Sequence, residues 1–305
     1  MKPAAQPFRL LASVSDFTVH FGFPPPLHPM FTVIDLANHR TPPPMQGAAL
    51  RQLYIISLKK GLKGQLRYGR QAYDFSQGVL GFYAPGQLCE GNDSLDLSEM
   101  SGWMLVFHPD LLLRHPLARN ITTYGFFSYE VHEALHLSAA EEQMLDGLIN
   151  SLRQEHAQPV DAFTQDVLVS QLDVLLSYAN RFYHRQFLTR RAAEHDLLTR
   201  FEALLTAYFN QENAEQPLPT VQYFADALHV SPAYLSDMLR ALTGQNTQQH
   251  IHQALIAKAK LLLRGTALSI NETAYQLGFE YPQYFSRLFK SKTGLTPAAF
   301  RLSVH

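Results

Sequence analysis

Residues 224–244 read "FADALHVSPAYLSDMLRALTG" and residues 273–294 read "TAYQLGFEYPQYFSRLFKSKTG". Laid over one another, they are two copies of one pattern. Ala225 falls on Ala274, Leu228 on Leu277 and Val230 on Phe279. After one inserted residue, Tyr234 falls on Tyr284, Leu235 on Phe285, Ser236 on Ser286, Leu239 on Phe289 and Gly244 on Gly294. Each copy reads as a short helix, a tight turn and a second helix. In the first, Ser231 is an N-cap with Pro232 at the first helical position, both preferred there because the opening N–H groups of a helix lack intrahelical acceptors. In the second, Gly278 supplies the turn.

Two helices joined this way let the first brace the second, so that the second lies in a DNA major groove with its opening residues at the base edges. The apolar positions of each copy hold the brace. The polar ones face outward: Ser236, Asp237 and Arg240 in the first copy, Gln283, Ser286, Arg287 and Lys290 in the second. Between the copies runs "NTQQHIHQALIAKAKLLLRG" (246–265), whose periodicity predicts a helix over 247–264, about 26 Å long at ~1.5 Å per residue. Successive major-groove faces recur about every 34 Å. A stiff spacer of that length, with the width of the two units added, reaches two adjacent grooves on one side of a duplex.

Upstream, the chain changes class. "FTVIDL", "LYIISL", "GQLRYGRQAYDF", "GVLGFYAP" and "GWMLVFHP" are short β-rich runs separated by Pro and Gly, the rhythm of an antiparallel sandwich or barrel. Alternation of apolar and polar residues through "FFSYEVHEALHL" (126–137) predicts a further strand. Ser138 with Glu141 three residues on forms a capping box that opens a helix over 138–156, and a second helix covers 161–186. In that one Leu168, Leu172, Leu175, Ala179 and Phe182 make one apolar stripe, flanked by Val167, Val174 and Tyr178. The stripe either packs wholly on the sandwich or lends part of itself to a second copy of the chain. The basic, polar "YHRQFLTRRAAEHD" (183–196) marks the linker, and everything after it reads as helix.

The 305 residues suffice for two domains, and 46% hydrophobic with 17% charged residues excludes a largely disordered chain. Net charge is −1 overall but unevenly placed: residues 220–305 hold 8 Lys+Arg against 4 Asp+Glu, leaving 17 against 22 for the rest. The positive C-terminal part points to a polyanion. Cys89 is the single cysteine, so no internal disulfide and no zinc ribbon form. The N-terminus lacks a signal-peptide pattern and no stretch reaches transmembrane length, which predicts a cytoplasmic protein without membrane contact.

At these residues the chain resembles the AraC/XylS family of bacterial transcription regulators. "AKAKLLLRGTALSINETAYQLGFEYPQYFSRLFKSKTGLTPAAFR" (257–301) is similar to the second half of the family's DNA-binding domain, and "FADALHVSPAYLSDMLRALTG" to the first half. The likeness covers about the last hundred residues. The front is similar to the family's cupin-like domain in strand rhythm and in "GVLGFYAPGQ" (78–87). The resemblance implies a multidomain α+β chain: a cupin-like β-sandwich with flanking helices for sensing and dimerisation (1–185), a linker (186–196), and an all-α domain with two helix-turn-helix units (197–305). It implies a sequence-specific activator without cofactor or metal, whose partners are promoter or operator duplex, RNA polymerase, a small-molecule effector and a second copy of itself. It further implies recognition helices starting near Ser231 and Tyr281. Ala233, Ser236 and Asp237 in one, and Gln283, Ser286 and Arg287 in the other, stand where base edges are read; Arg240 and Lys290 stand where phosphate is met. Tyr234 and Tyr284 serve either in the brace or on phosphate. Two departures stand out: Leu255 occupies a place where the family commonly has a basic residue, and Tyr281-Pro282 replaces a small polar pair. Asp237 suits a cytosine N4 donor rather than guanine.

A competing chemistry lies in "HEALH" (132–136), which on a helix would aim His132 and His136 at one zinc with Glu133 beside them, as in a zinc-dependent hydrolase. In a strand, residues four apart are separated by about 13 Å and cannot share a metal. The remaining histidines carry no ligand spacing: His108 and His115 flank "PDLLLR", and His250 and His252 point apart on a helix. The basic tract "LKKGLK" (58–63) reads as a solvated hairpin tip.

Overall fold

The computed structural model describes residues 9–38, 49–61, 66–68, 71–73, 78–89, 100–130, 133–189, 191–210 and 217–303. The chain divides into two compact units, Met1–Gln186 and Phe187–His305.

The first unit is built from strands β1 (Arg9–Leu11), β2 (Phe31–Asp35), β3 (Ala49–Arg51), β4 (Tyr54–Lys60), β5 (Leu66–Tyr68), β6 (Gln71–Tyr73), β7 (Val79–Tyr83), β8 (Gln87–Cys89), β9 (Ser101–Phe107) and β10 (Leu135–His136). Five of them form an antiparallel sheet in the order β10-β7-β4-β9-β2; three form β1-β3-β8, and β5 pairs with β6. Helices α1 (Val14–His20), α2 (Leu117–Asn120), α3 (Ala139–His156) and α4 (Thr164–Thr189) accompany them. Period-2 alternation gives the large sheet two apolar faces. One carries Ile34, Ile55, Val79 and Val106, which form a core with Leu11, Val14, Phe17 and Ala49. The other carries Ile56, Leu80, Phe82, Leu105 and Phe107, all buried. It meets α3 where Trp103 Nε1 donates to Asp146 at 2.8 Å, and α4 where the Phe82 and Tyr183 rings approach to 6.1 Å. Gly102 in β9 has φ +109°, and a Cβ there would lie 2.1 Å from the Leu58 carbonyl oxygen, so only glycine fits that close strand approach.

The five strand runs expected from the sequence all contain strands. The single strand expected through residues 126–137 does not form. Gly125–Ser128 is a 3-10 turn and β10 is two residues long. The alternation misleads because Phe126 and Phe127 are both buried side by side, one stacked on Tyr183 at 5.4 Å, the other edge-on to Tyr54 at 5.1 Å. An alternating strand would bury only one of two neighbours. The capping box at Ser138 and Glu141 does open α3. The α4 stripe Leu168, Leu172, Leu175, Ala179 and Phe182 is buried throughout, whereas Val167 and Val174 remain exposed. Residues 183–196, expected as a linker, are helical at every described position.

The second unit is all helix: α5 (Arg191–Asn210), α6 (Val221–Leu228), α7 (Pro232–Thr243), α8 (Thr247–Gly265), α9 (Ile270–Gln276), α10 (Pro282–Thr293) and α11 (Pro297–Leu302). The spacer helix spans 247–265, one residue longer than expected. It belongs to both halves. Near its start Ile251 is buried; further along, Leu255, Ile256, Ala259 and Leu263 join Ala274, Leu277, Phe279, Phe285, Phe289 and Phe300 in one core. Leu255, odd by family habit, is thus a core residue here.

Candidate nucleic-acid interface

The two repeats fold through the same bonds. In the first, α6 ends at His229, φ +59°, and Val230 N–H donates back to the Ala225 carbonyl at 3.1 Å. In the second, α9 ends at Leu277, Gly278 takes φ +88°, and Phe279 N–H donates to the Ala274 carbonyl at 3.0 Å. Ser231 Oγ then accepts from Tyr234 N–H at 3.1 Å to start α7, with Pro232 at its first position. Tyr281 opens α10 without a side-chain cap, and Pro282 follows. Both second helices close on a left-handed glycine, Gly244 and Gly294, whose N–H groups reach Arg240 and Lys290 at 2.9 Å each. Thr243 Oγ1 donates to the Leu239 carbonyl at 2.7 Å, as Thr293 Oγ1 does to Phe289 at 2.8 Å. Internal duplication written in side chains is therefore repeated in backbone hydrogen bonds.

The braces are apolar. Phe224, Ala225 and Leu228 of α6 lie beneath Leu235, Met238 and Leu239 of α7; Ala274 of α9 lies beneath Phe285 and Phe289 of α10. What remains outward differs between the copies. On α10, Gln283, Arg287 and Lys290 are exposed and Ser286 is half-buried. Tyr281 and Tyr284 are exposed too, 54% for Tyr284, with rings edge-on at 5.8 Å, and the Arg287 guanidinium lies 5.6 Å over the Tyr284 ring. Tyr281, Tyr284 and Arg287 thus form a ladder along the outer face. Neither Arg287 nor Lys290 has an ion pair among the described residues.

On α7 the outward groups are engaged within the domain. Ser236 Oγ shares a hydrogen bond with Thr247 Oγ1 at 3.0 Å, and Arg240 donates to Asp237 at 2.9 Å. Ala233 is half-buried. Tyr234, equivalent in sequence to Tyr284, is only 7% exposed, and its ring meets Phe187 edge-on at 5.2 Å. Tyr234 is thus packed against a ring from outside its repeat, whereas Tyr284 stays outside. The Thr247 contact was not foreseen, yet it had a signal: Asn246 and Gln249 form a capping box that fixes the start of α8 beside α7.

The formal charge of residues 220–305 is positive, 8 Lys+Arg against 4 Asp+Glu, and it rests on the lysines and arginines alone. Glu272, one of four carboxylates in residues 220–305, is tied into the cap of α9 by the Ser269 N–H at 2.7 Å, which holds its carboxyl below the usual range. Burial depresses His250 and His252, the second also because Lys292 is near.

The segment once readable as a metal site is occupied by structural bonds. Glu133 is 3% exposed, and its Oε2 accepts from Glu130 N–H at 2.6 Å. Its charge, after burial itself, pushes the Tyr183 hydroxyl well above the ordinary tyrosine range. His136 N–H donates to Gln186 Oε1 at 2.9 Å, and its carbonyl accepts from Arg185 at 3.1 Å. His132 lies outside the described residues. No group of three metal-ligating side chains occurs among the described residues. His108 and His115 each accept a backbone N–H two residues on, and Lys60 pairs with Glu142.

Comparison with known proteins bears on the C-terminal part. A helix-turn-helix domain family matches residues 224–303. An uncharacterized HTH-type transcriptional regulator, YfiF of Bacillus subtilis, is 32% identical over 172 residues, 52% of each chain. The HTH-type transcriptional activator RhaR of Salmonella schwarzengrund is 28% identical over 179 residues, 58% of this chain and 60% of that one. Among solved structures, the C-terminal domain of AraT, a response regulator from Geobacillus stearothermophilus, is 30% identical, covering 35% of this chain and 84% of that chain at a TM-score of 0.31. The chain spans between half and three fifths of the length of these curated relatives.

Proposed function

The chain belongs to the AraC/XylS family of helix-turn-helix transcription regulators, and from that premise we propose that it is a ligand-responsive regulator, acting in the cytoplasm, that binds promoter duplex through both repeats. The family is one of regulators rather than enzymes. The observation that carries the reading is the duplicated bond pattern, which presents two second helices on one 19-residue spacer, about 28 Å long at ~1.5 Å per residue. That length supports occupation of adjacent major grooves.

Within this reading α10 is the principal reader. Gln283 and Arg287 meet base edges, Arg287 with its fork held by Tyr284, while Lys290 and Tyr281 meet phosphate. On α7, Ala233 and Ser236 contribute shape more than hydrogen bonds, because the Ser236 hydroxyl is already shared with Thr247. Asp237 orients Arg240 toward phosphate. The exposed valines of α4 pair two chains, and the bound promoter is handed to RNA polymerase; the activator named among the relatives supports activation as the outcome.

Titration of labelled duplex at several salt concentrations tests it. Arg287→Ala should cost about 1–3 kcal/mol of specific binding and relax preference at one base pair. Lys290→Ala should weaken all sequences alike and flatten the salt slope by about one. Equal losses on cognate and random duplex for Arg287→Ala would remove it from the readers.

A further inference from the structure

On α10 the Tyr284 ring is held from two sides. The Tyr281 ring meets it edge-on at 5.8 Å, and the Arg287 guanidinium, one turn further along, lies 5.6 Å from its centroid. Pro282 at the first helical position and the bond from Tyr284 N–H to the Tyr281 carbonyl at 3.0 Å fix the helix start that sets this spacing. All three side chains are exposed, α10 itself carries no carboxylate, and Arg287 has no ion pair among the described residues. A notch between an apolar ring and an unspent guanidinium therefore opens on the outer face, beside Gln283 four residues before Arg287. The first repeat has no such notch. Its equivalents are Tyr234, buried against Phe187, and Asp237, which receives Arg240 at 2.9 Å.

A planar cation beside an apolar ring fits a surface that offers paired acceptors next to an apolar projection. The major groove offers that combination in one form. Guanine presents O6 and N7 to a guanidinium fork, and the apolar group on a base edge is the C5-methyl of thymine. 5-Methylcytosine carries the same methyl, whereas uracil and cytosine lack it. A guanidinium lying in the plane of a guanine overhangs C5 of the pyrimidine on its 5′ side. We propose that Tyr284 makes the second repeat a methyl reader: with Arg287 on guanine, the 5-methyl group of the preceding pyrimidine, thymine or 5-methylcytosine, lodges between the guanidinium and the Tyr284 ring. The Tyr281 ring keeps that of Tyr284 from swinging away. The inference rests on the regulator reading, with Arg287 as a base reader, and adds a specificity-determining residue beside it. It also gives cytosine methylation a route to the affinity of the chain for its sites.

The test uses the full chain and duplexes it selects from a random library. A selection that enriches no sequence removes the regulator reading and this inference with it. In the enriched site, the base pair whose preference relaxes in Arg287→Ala should be a guanine preceded by a pyrimidine. With thymine at that preceding place, uracil in its stead should weaken binding about fourfold, the ~0.8 kcal/mol of one buried methyl-sized group. With cytosine there, 5-methylcytosine should bind about fourfold more tightly. Tyr284→Phe should keep both differences and Tyr284→Ala should erase them, and the alanine variant should melt with the wild type because the ring lies outside the core. The proposal is overturned if Arg287 governs no guanine after a pyrimidine, if uracil binds as tightly as thymine, or if 5-methylcytosine binds no better than cytosine. It is overturned as well if Tyr284→Ala retains the differences or Tyr284→Phe loses them. Each of those outcomes leaves an enriched site in place, and the regulator reading standing.

Discussion

His229 and Gly278 occupy one position in the two repeats and share a left-handed backbone, φ +59° and +88°. That conformation brings a Cβ against the following carbonyl and costs an ordinary residue about 1–2 kcal/mol. Gly278 escapes the cost and His229 bears it. Gly278→Ala should therefore lower the stability of the C-terminal unit by about 1–2 kcal/mol, and Gly278→Asn by less, since a short amide tolerates this region. Chemical denaturation measures both; an alanine variant as stable as the wild type would mean the turn does not need its glycine. Gly278 was legible from the sequence because glycine announces such turns. His229 was not, since nothing in a histidine does. The same limit applies to the interface. The repeat shows which positions of α7 and α10 are polar, but not that Ser236 is bound to Thr247 or that Tyr234 is buried while Tyr284 is not. Those differences depend on helices from outside the repeat.

Among elements, helix starts were the most legible feature because their signal is local. A hydroxyl or amide that accepts an orphan N–H three residues on is written in four letters. Ser231 carries the single cap, and Ser13, Ser138, Asn246 and Ser269 carry the full box. The segment at 126–137 was misread because alternation reports exposure, and two adjacent rings buried by α4 and β4 break the link between exposure and period. Two element ends, His20 of α1 and His156 of α3, hold titrating groups. His156, last residue of α3, sits 5.7 Å from the Phe31 ring, and burial first, then the neighbouring His28, keeps it below the ordinary histidine value. His20, His28, His250 and His252 are depressed as well, each chiefly by burial. A histidine held neutral in the fold is one the unfolded chain protonates first. Stability is therefore intact above the unfolded value of about 6.5 and falls as pH drops through it toward the folded values. Melting curves at pH 7.5, 6.5 and 5.5 should show that decline, and His156→Gln should shrink it; an unchanged pH slope in that variant would mean His156 titrates alike in the folded and unfolded chain.

At the scale of the whole molecule, α4 leaves part of its apolar surface uncovered. Its main stripe is consumed by the first unit, yet Val167 and Val174, one heptad apart, stay outside, 44% exposed for Val174, with Phe163 one turn earlier also exposed. Apolar side chains repeating every seven residues along an exposed helix face fit a second helix of the same kind, and a self-complementary contact about a twofold axis is the commonest way for a chain to pair. Pairing would place four helix-turn-helix units on one promoter and turn binding of the second chain into an intramolecular event. Glutamate at both Val167 and Val174 should abolish the dimer in sedimentation at micromolar concentration while leaving the melting temperature nearly unchanged, because exposed positions contribute little to the fold. Affinity for a single site should then persist, and affinity for paired sites should fall toward it, by about a hundredfold or more. A double variant that still sediments as a dimer, or a wild-type chain that is monomeric and binds paired sites no better than single ones, would assign these valines to the surface alone.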